Sequence, residues 1–297
     1  MGGPCRIVAA GGGDGLLRSA EALVHRLEGS WSRFLATSEV SVINGNTGHA
    51  TIVSPETYRL IELAEKARTW TGGLFNPLML TQLEALGYSR PWSGDGPGGV
   101  PRPSSPGSLE GIVLLPEIPA VQIPAGTIFD PGGIGKGLAA DLVTEFLTTE
   151  GATTSSVELG GDLRVGGVCW YAPTWRVGIA HPANRSGEIA AFTLEQGAVA
   201  TSSVLRRKWS VGGRRLHHLL DPTNGLPAET DLVSVSATAS SAWRAEVAAK
   251  VAVMAGSDGA LDLLRSLGAA GIAVRADGFV LGATDGDLDH VQQRVTA

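Results

Sequence analysis

Leu16, Leu17, Ala20, Leu23, Val24 and Leu27 recur at helical spacing and predict an amphipathic helix over residues 15–28. A short apolar run over 4–10 predicts a strand before it. Trp31-Ser32-Arg33-Phe34 opens a stretch without a clear period, predicted to be irregular through Asn44-Gly45. Ser54-Pro55-Glu56 is a helix start with proline at the first helical position, and it predicts a helix over 54–71 that stops at Gly72-Gly73. Short β-runs follow at 111–115, 120–124, 155–159, 175–180, 189–194, 198–202, 207–211, 215–220 and 232–238. Helices are predicted at 137–149, 241–255 and 258–267, with a hairpin around Asp277-Gly278. Hairpin-like strands with separated helices predict an α+β fold rather than a doubly wound sheet. Residues 89–110 are rich in Pro, Gly and Ser and read as a surface loop. With no other linker and no close repeat, residues 1–297 read as one domain.

Composition changes this picture in one respect. Glycine supplies 41 of 297 residues, twice the background of about 7%. There is no Gly-X-Y period, so the excess is not collagen-like. Charged residues are only 18% and the net charge is −6, which argues against a surface that neutralises nucleic-acid phosphates. A local phosphate site needs little net charge, because glycine turns and helix N-termini offer backbone N–H groups. Cys5 and Cys169 make neither a disulfide framework nor a zinc site and read as core or neutral positions. No stretch approaches the ~18 apolar residues of a membrane span, and no leader-type apolar region precedes Cys5; the expectation is a cytoplasmic protein.

Five segments can carry chemistry. Asp130-Pro131-Gly132-Gly133-Ile134-Gly135-Lys136-Gly137 runs into a predicted helix, either to cradle an anion or to pack tightly. It fails the P-loop pattern, since Gly137 follows Lys136 where a hydroxyl should stand. Leu159-Gly160-Gly161-Asp162 ends a β-run, as a ligand-facing turn or a plain one. Ala200-Thr201-Ser202 precedes a basic hairpin. In His217-His218-Leu219-Leu220-Asp221, strand alternation would turn one histidine inward, where a near-neutral imidazole can accept a proton from a hydroxyl. Glu246 and Lys250 lie at i and i+4 on an otherwise apolar helix, so a charged pair there needs a partner or a purpose.

Taken in order, these segments resemble the ApbE family, the FAD:protein FMN transferases, over nearly the whole chain. Met1-Gly2 is similar to the family's Met-Gly-Thr opening, with Gly3 for the threonine. Ser32-Arg33-Phe34, Ser38-Glu39-Val40-Ser41 and Asn44 match its Ser-Arg-Phe and Ser-Glu-Leu-Ser…Asn stretch. Thr71-Gly72-Gly73-Leu74-Phe75-Asn76-Pro77 is similar to Thr-Gly-Gly-x-Phe-Asp-Pro, with Asn for Asp. The Asp130–Gly137, Leu159–Asp162, Ala200–Ser202 and His218–Gly225 segments follow in the family's order.

The resemblance implies a single α+β domain of mixed, largely antiparallel sheets with flanking helices and an FAD cleft. It implies that a Thr or Ser hydroxyl of a target protein attacks the FMN-side phosphorus of FAD, releasing AMP. Met1, Phe34, Ala85, Leu86, Gly87, Asp130, Lys136 and Leu219 would line the FAD site, with Phe34 against a flat ring and Lys136 at the pyrophosphate. His218 would be the general base. The family's Mg²⁺ would take the Gly133 carbonyl and Glu246, but Lys250 stands at the third ligand position and has no acceptor. Alternatives are an FAD pyrophosphatase giving FMN and AMP, or an FAD-binding protein without turnover.

Overall fold

The computed structural model describes residues 3–91, 111–169, 171–183, 187–211 and 213–282. Met1, most of the 89–110 segment and the residues after 282 lie outside them. Among the described residues the strands are β1 (Cys5–Gly11), β2 (Thr51–Ile52), β3 (Val113–Leu115), β4 (Ala120–Gln122), β5 (Ala152–Leu159), β6 (Asp162–Gly167), β7 (Trp175–Ala180), β8 (Glu188–Leu194), β9 (Gly197–Ser203), β10 (Lys208–Val211), β11 (Arg214–His217), β12 (Leu232–Ala239), β13 (Ala270–Arg275) and β14 (Val280–Gly282). The helices are α1 (Leu16–Trp31), α2 (Glu39–Gly45), α3 (Pro55–Trp70), α4 (Leu80–Ala85), α5 (Gly135–Thr149), α6 (Ala242–Met254) and α7 (Gly256–Ser266).

An antiparallel seven-stranded sheet in the order β1-β5-β6-β9-β12-β13-β14 is the frame. The fold is therefore α+β, as the pattern of runs predicts. α5 packs across β5 and β6, and α6 across β9 and β12. Strand alternation divides β9 between two cores. Ala198 and Ala200 face the helices in the main core, while Val199 joins Ile179, Phe192 and Ile272 under the β7–β8 ribbon on the opposite face.

Several elements differ from their expectations. α2 lies inside the stretch expected to be irregular: only Val40 and Ile43 are buried along it, too few to show a period. Its start is set by Ser38, whose hydroxyl accepts from Ser41 N at 3.1 Å. β6 was not expected, because Arg164 and the Gly166-Gly167 pair dilute its alternation. Leu17 falls outside the buried stripe of α1 and is exposed. The 215–220 run ends at His217, so alternation does not set the direction of His218. Both free cysteines match their reading, Cys5 exposed and Cys169 buried. No helix among the described residues is long and apolar enough to cross a membrane.

Candidate active site

Two contacts lock α5 against α6 and so place the site. Asp141 on α5 accepts from Ala242 N at 2.8 Å and Trp243 N at 3.0 Å, satisfying N–H groups at the start of α6 that have no intrahelical partner. Burial pushes the Asp141 carboxyl up to about 6, against the lowering effect of these two hydrogen bonds and of Arg164. One turn earlier, a Cβ on Gly137 would stand 2.4 Å from Ala242 O. Gly137 is thus glycine because α6 crosses there, which is a packing role.

This crossing brings Glu246 over the start of α5. Its Oε2 accepts from Gly137 N at 2.8 Å and its Oε1 from Lys136 Nζ at 2.6 Å. Lys136 Nζ also pairs with Asp162. The expected i, i+4 partner of Glu246, Lys250, is not the one it takes. Asp162 reaches Lys136 because Gly160-Gly161 closes the β5–β6 hairpin in two residues with φ of 61° and 95°, a turn open to glycine and costly to other residues. Burial presses the Lys136 ammonium toward neutrality, and the charges of Asp162 and Glu246 more than offset this, so its pKa lies above the ordinary value. Lys136 is therefore engaged by two buried carboxylates, where the sequence suggested a cation facing the pyrophosphate.

Lys250 has a different environment. Its Nζ donates to Gly132 O at 3.0 Å and lies 4.9 Å from the centroid of the Phe75 ring. Together with Asp130, Asn76, His218 and Leu220 it lines a cavity beside the glycine loop. Among the described residues, two buried polar atoms of the cavity lining have no hydrogen-bond partner, Nδ1 of His218 and Nδ2 of Asn76. Burial, then the charges of Arg207, Lys250, His217 and Lys136, hold His218 well below the ordinary histidine value of 6.5 and favour the neutral imidazole.

Two of the remaining expected residues, Phe34 and Asp130, meet at Arg33, which the sequence offered only as part of a motif. Its guanidinium is nearly buried, donates to Tyr88 O at 3.1 Å, and approaches Asp130 Oδ1 at 3.8 Å and Glu84 at 3.7 Å. It also stacks over Phe34 and Tyr88. Leu86 O, in the Ala85-Leu86-Gly87 turn, accepts from Trp209 Nε1 at 2.9 Å. Asn44 exchanges two hydrogen bonds with the Phe129 backbone and so fixes the residue before Asp130. Leu219 is buried in the main core, next to His218 in the chain. The structure thus draws Phe34 and Asp130 together through Arg33, which also holds Glu84 and Tyr88 on either side of the 85–87 turn.

The residues at the implied metal position do not fit Mg²⁺. That ion demands near-octahedral oxygen ligands. Both oxygens of Glu246 already accept hydrogen bonds, and an ammonium occupies the third place. Among the described residues no group of three or more His, Cys, Asp or Glu is arranged to hold a metal.

The architecture is shared with solved ApbE structures. The crystal structure of the ApbE protein of Thermotoga maritima superposes with a TM-score of 0.82, at 27% identity and over 93% of each chain. In sequence, the FAD:protein FMN transferase of Treponema pallidum is 30% identical over 253 residues, which is 77% of this chain and 68% of that one. The enzyme of the same description from Klebsiella pneumoniae is 29% identical over 248 residues, 80% of this chain and 74% of its own. The ApbE family model matches residues 1–274, and the chain belongs to the ApbE family.

Proposed function

We propose that this chain is an FAD:protein FMN transferase. A Thr or Ser hydroxyl oxygen of a target protein forms a bond to the FMN-side phosphorus of FAD. The bond from that phosphorus to the bridging oxygen breaks, and AMP leaves with that oxygen. The hydroxyl proton passes to His218. The observation that carries this reading is the buried His218 Nδ1, which has no hydrogen-bond partner among the described residues, on a residue that lines a cavity with Asp130 and Lys250. A base must be unprotonated at working pH and within reach of the proton it takes. Asp130, Lys136, Phe34, the 85–87 turn, Leu219 and Met1 are proposed to hold FAD, with Lys136 acting through the carboxylates it orders. Membership in the family and the names of the two relatives support the same activity.

The test is incubation with FAD and an acceptor protein. Covalent flavin on the acceptor with stoichiometric AMP is the expected result. AMP with free FMN would make the chain a pyrophosphatase, and neither product would make it a binder. His218→Ala is expected to keep FAD affinity and to slow transfer by about 10²–10⁴-fold. Transfer at the native rate would remove His218 from the role.

A further inference from the structure

We infer that this chain has exchanged the metal of its flavin-phosphate site for a tethered ammonium: Lys250 supplies the positive charge that faces the FAD pyrophosphate, and binding needs no divalent ion. The inference rests on the flavin reading above and says what holds the phosphates.

The glycine loop is shaped around this lysine. Gly133 has φ of 96°, and a Cβ on it would lie 2.6 Å from Lys250 Cδ and 2.9 Å from Lys250 Nζ. The loop therefore passes directly over the lysine stem, and its ammonium sits on the carbonyl of Gly132. The metal would take the Gly133 carbonyl; the ammonium sits on that of its neighbour, Gly132, in the same loop.

The hydrogen-bond inventory of the two lysines separates their roles. Lys136 spends its donors on two carboxylates, Asp162 and Glu246. Among the described residues Lys250 makes one direct hydrogen bond, to Gly132 O, and no carboxylate forms an ion pair with it. An ammonium has three N–H donors, so two remain for a ligand. Phosphate oxygens are the natural acceptors, since hydrogen bonds between ionised partners are the strong ones. Glu246 already accepts from Lys136 Nζ and Gly137 N, so part of its acceptor capacity is taken and its charge is shared with Lys136.

Calorimetric titration of the full chain with FAD, in EDTA and again in millimolar Mg²⁺, tests this. The two dissociation constants are expected to agree within twofold. Lys250→Met, which keeps the length of the side chain and removes the charge, is expected to weaken FAD at least tenfold in both buffers while the melting curve shows a folded protein. A tenfold loss of wild-type affinity in EDTA would overturn the inference, as would native affinity in Lys250→Met. A second arm needs no flavin. Electron paramagnetic resonance with Mn²⁺ is expected to find no stoichiometric micromolar site in the wild-type protein, and one such site would overturn the inference. If FAD binds in neither buffer, the flavin reading fails, and the Mn²⁺ arm still decides whether the ammonium excludes a metal.

Discussion

Lys136 and Lys250 stand on the helices α5 and α6 that cross at the site, and they have opposite surroundings. Lys136 lies between Asp162 and Glu246, and its charge is more than balanced. Lys250 rests on one backbone carbonyl and an aromatic ring, and burial lowers its pKa despite Asp130 and Glu246 nearby. The first is a cross-link that joins β6, α5 and α6. The second carries a desolvation cost that Asp130 and Glu246 offset only in part. Burial alone does not distinguish a structural cation from a binding one. The number of carboxylates already paired with it does.

The sharpest way to break this comparison is to remove each charge in turn. Lys136→Met leaves two buried carboxylates facing each other and is expected to cost about 3–5 kcal/mol in urea unfolding. Lys250→Met strands no carboxylate ion pair and is expected to change stability by less than about 1 kcal/mol. Equal costs would dissolve the distinction.

Asp141 supplies a pH-dependent version of the same test. Its folded value of about 6 lies above the ordinary 3.8, so the folded chain binds more protons between these values. The stability it contributes is full below pH 3.8 and is lost as pH rises through 6, by about 3 kcal/mol in all. The stability of the wild-type protein relative to Asp141→Asn is expected to fall by most of that amount, about 2.4 kcal/mol, between pH 4 and 7. A flat difference would mean that Asp141 is ionised throughout.

Gly137→Ala probes the crossing itself. Its new methyl group meets the backbone of Ala242 at 2.4 Å, so α6 must shift, at an expected cost of about 1–3 kcal/mol in the same unfolding assay. The smallest effect belongs to Arg59→Gln. Arg59 pairs with Glu145 at 2.7 and 2.8 Å on the surface, and such pairs are worth about 1 kcal/mol or less. A large loss there would blur the contrast between exposed and buried ion pairs.

The elements with strong local signals were legible in the sequence. Ser54 caps α3 with Pro55 at its first position, and Asp277-Gly278 turns β13 into β14. The short α4 left no readable trace, since six residues make less than two turns. At the site, the i, i+4 spacing marked Glu246 and Lys250 as unusual, but spacing reports neighbours within one helix. The partner of Glu246 lies on another helix, brought close by the packing of Gly137 against Ala242. Arg33 was visible as a motif residue, yet its link between Phe34, Tyr88 and Asp130 exists only after three segments meet.

The hairpin turn at Gly160-Gly161 has a consequence for the order of folding. Lys136 and Asp162 are 26 residues apart, whereas Lys136 and Glu246 are 110 apart. Closing the longer loop costs about 1.3 kcal/mol more in chain entropy. α5, β5 and β6 are consecutive and can assemble as a local unit, with the lysine already seated on its first carboxylate. α6 closes the longer loop and carries both Glu246 and Lys250 to the start of α5 and its glycine loop. The cavity is therefore incomplete without α6, and a nascent chain has no full place for its ligand until Lys250 has been made.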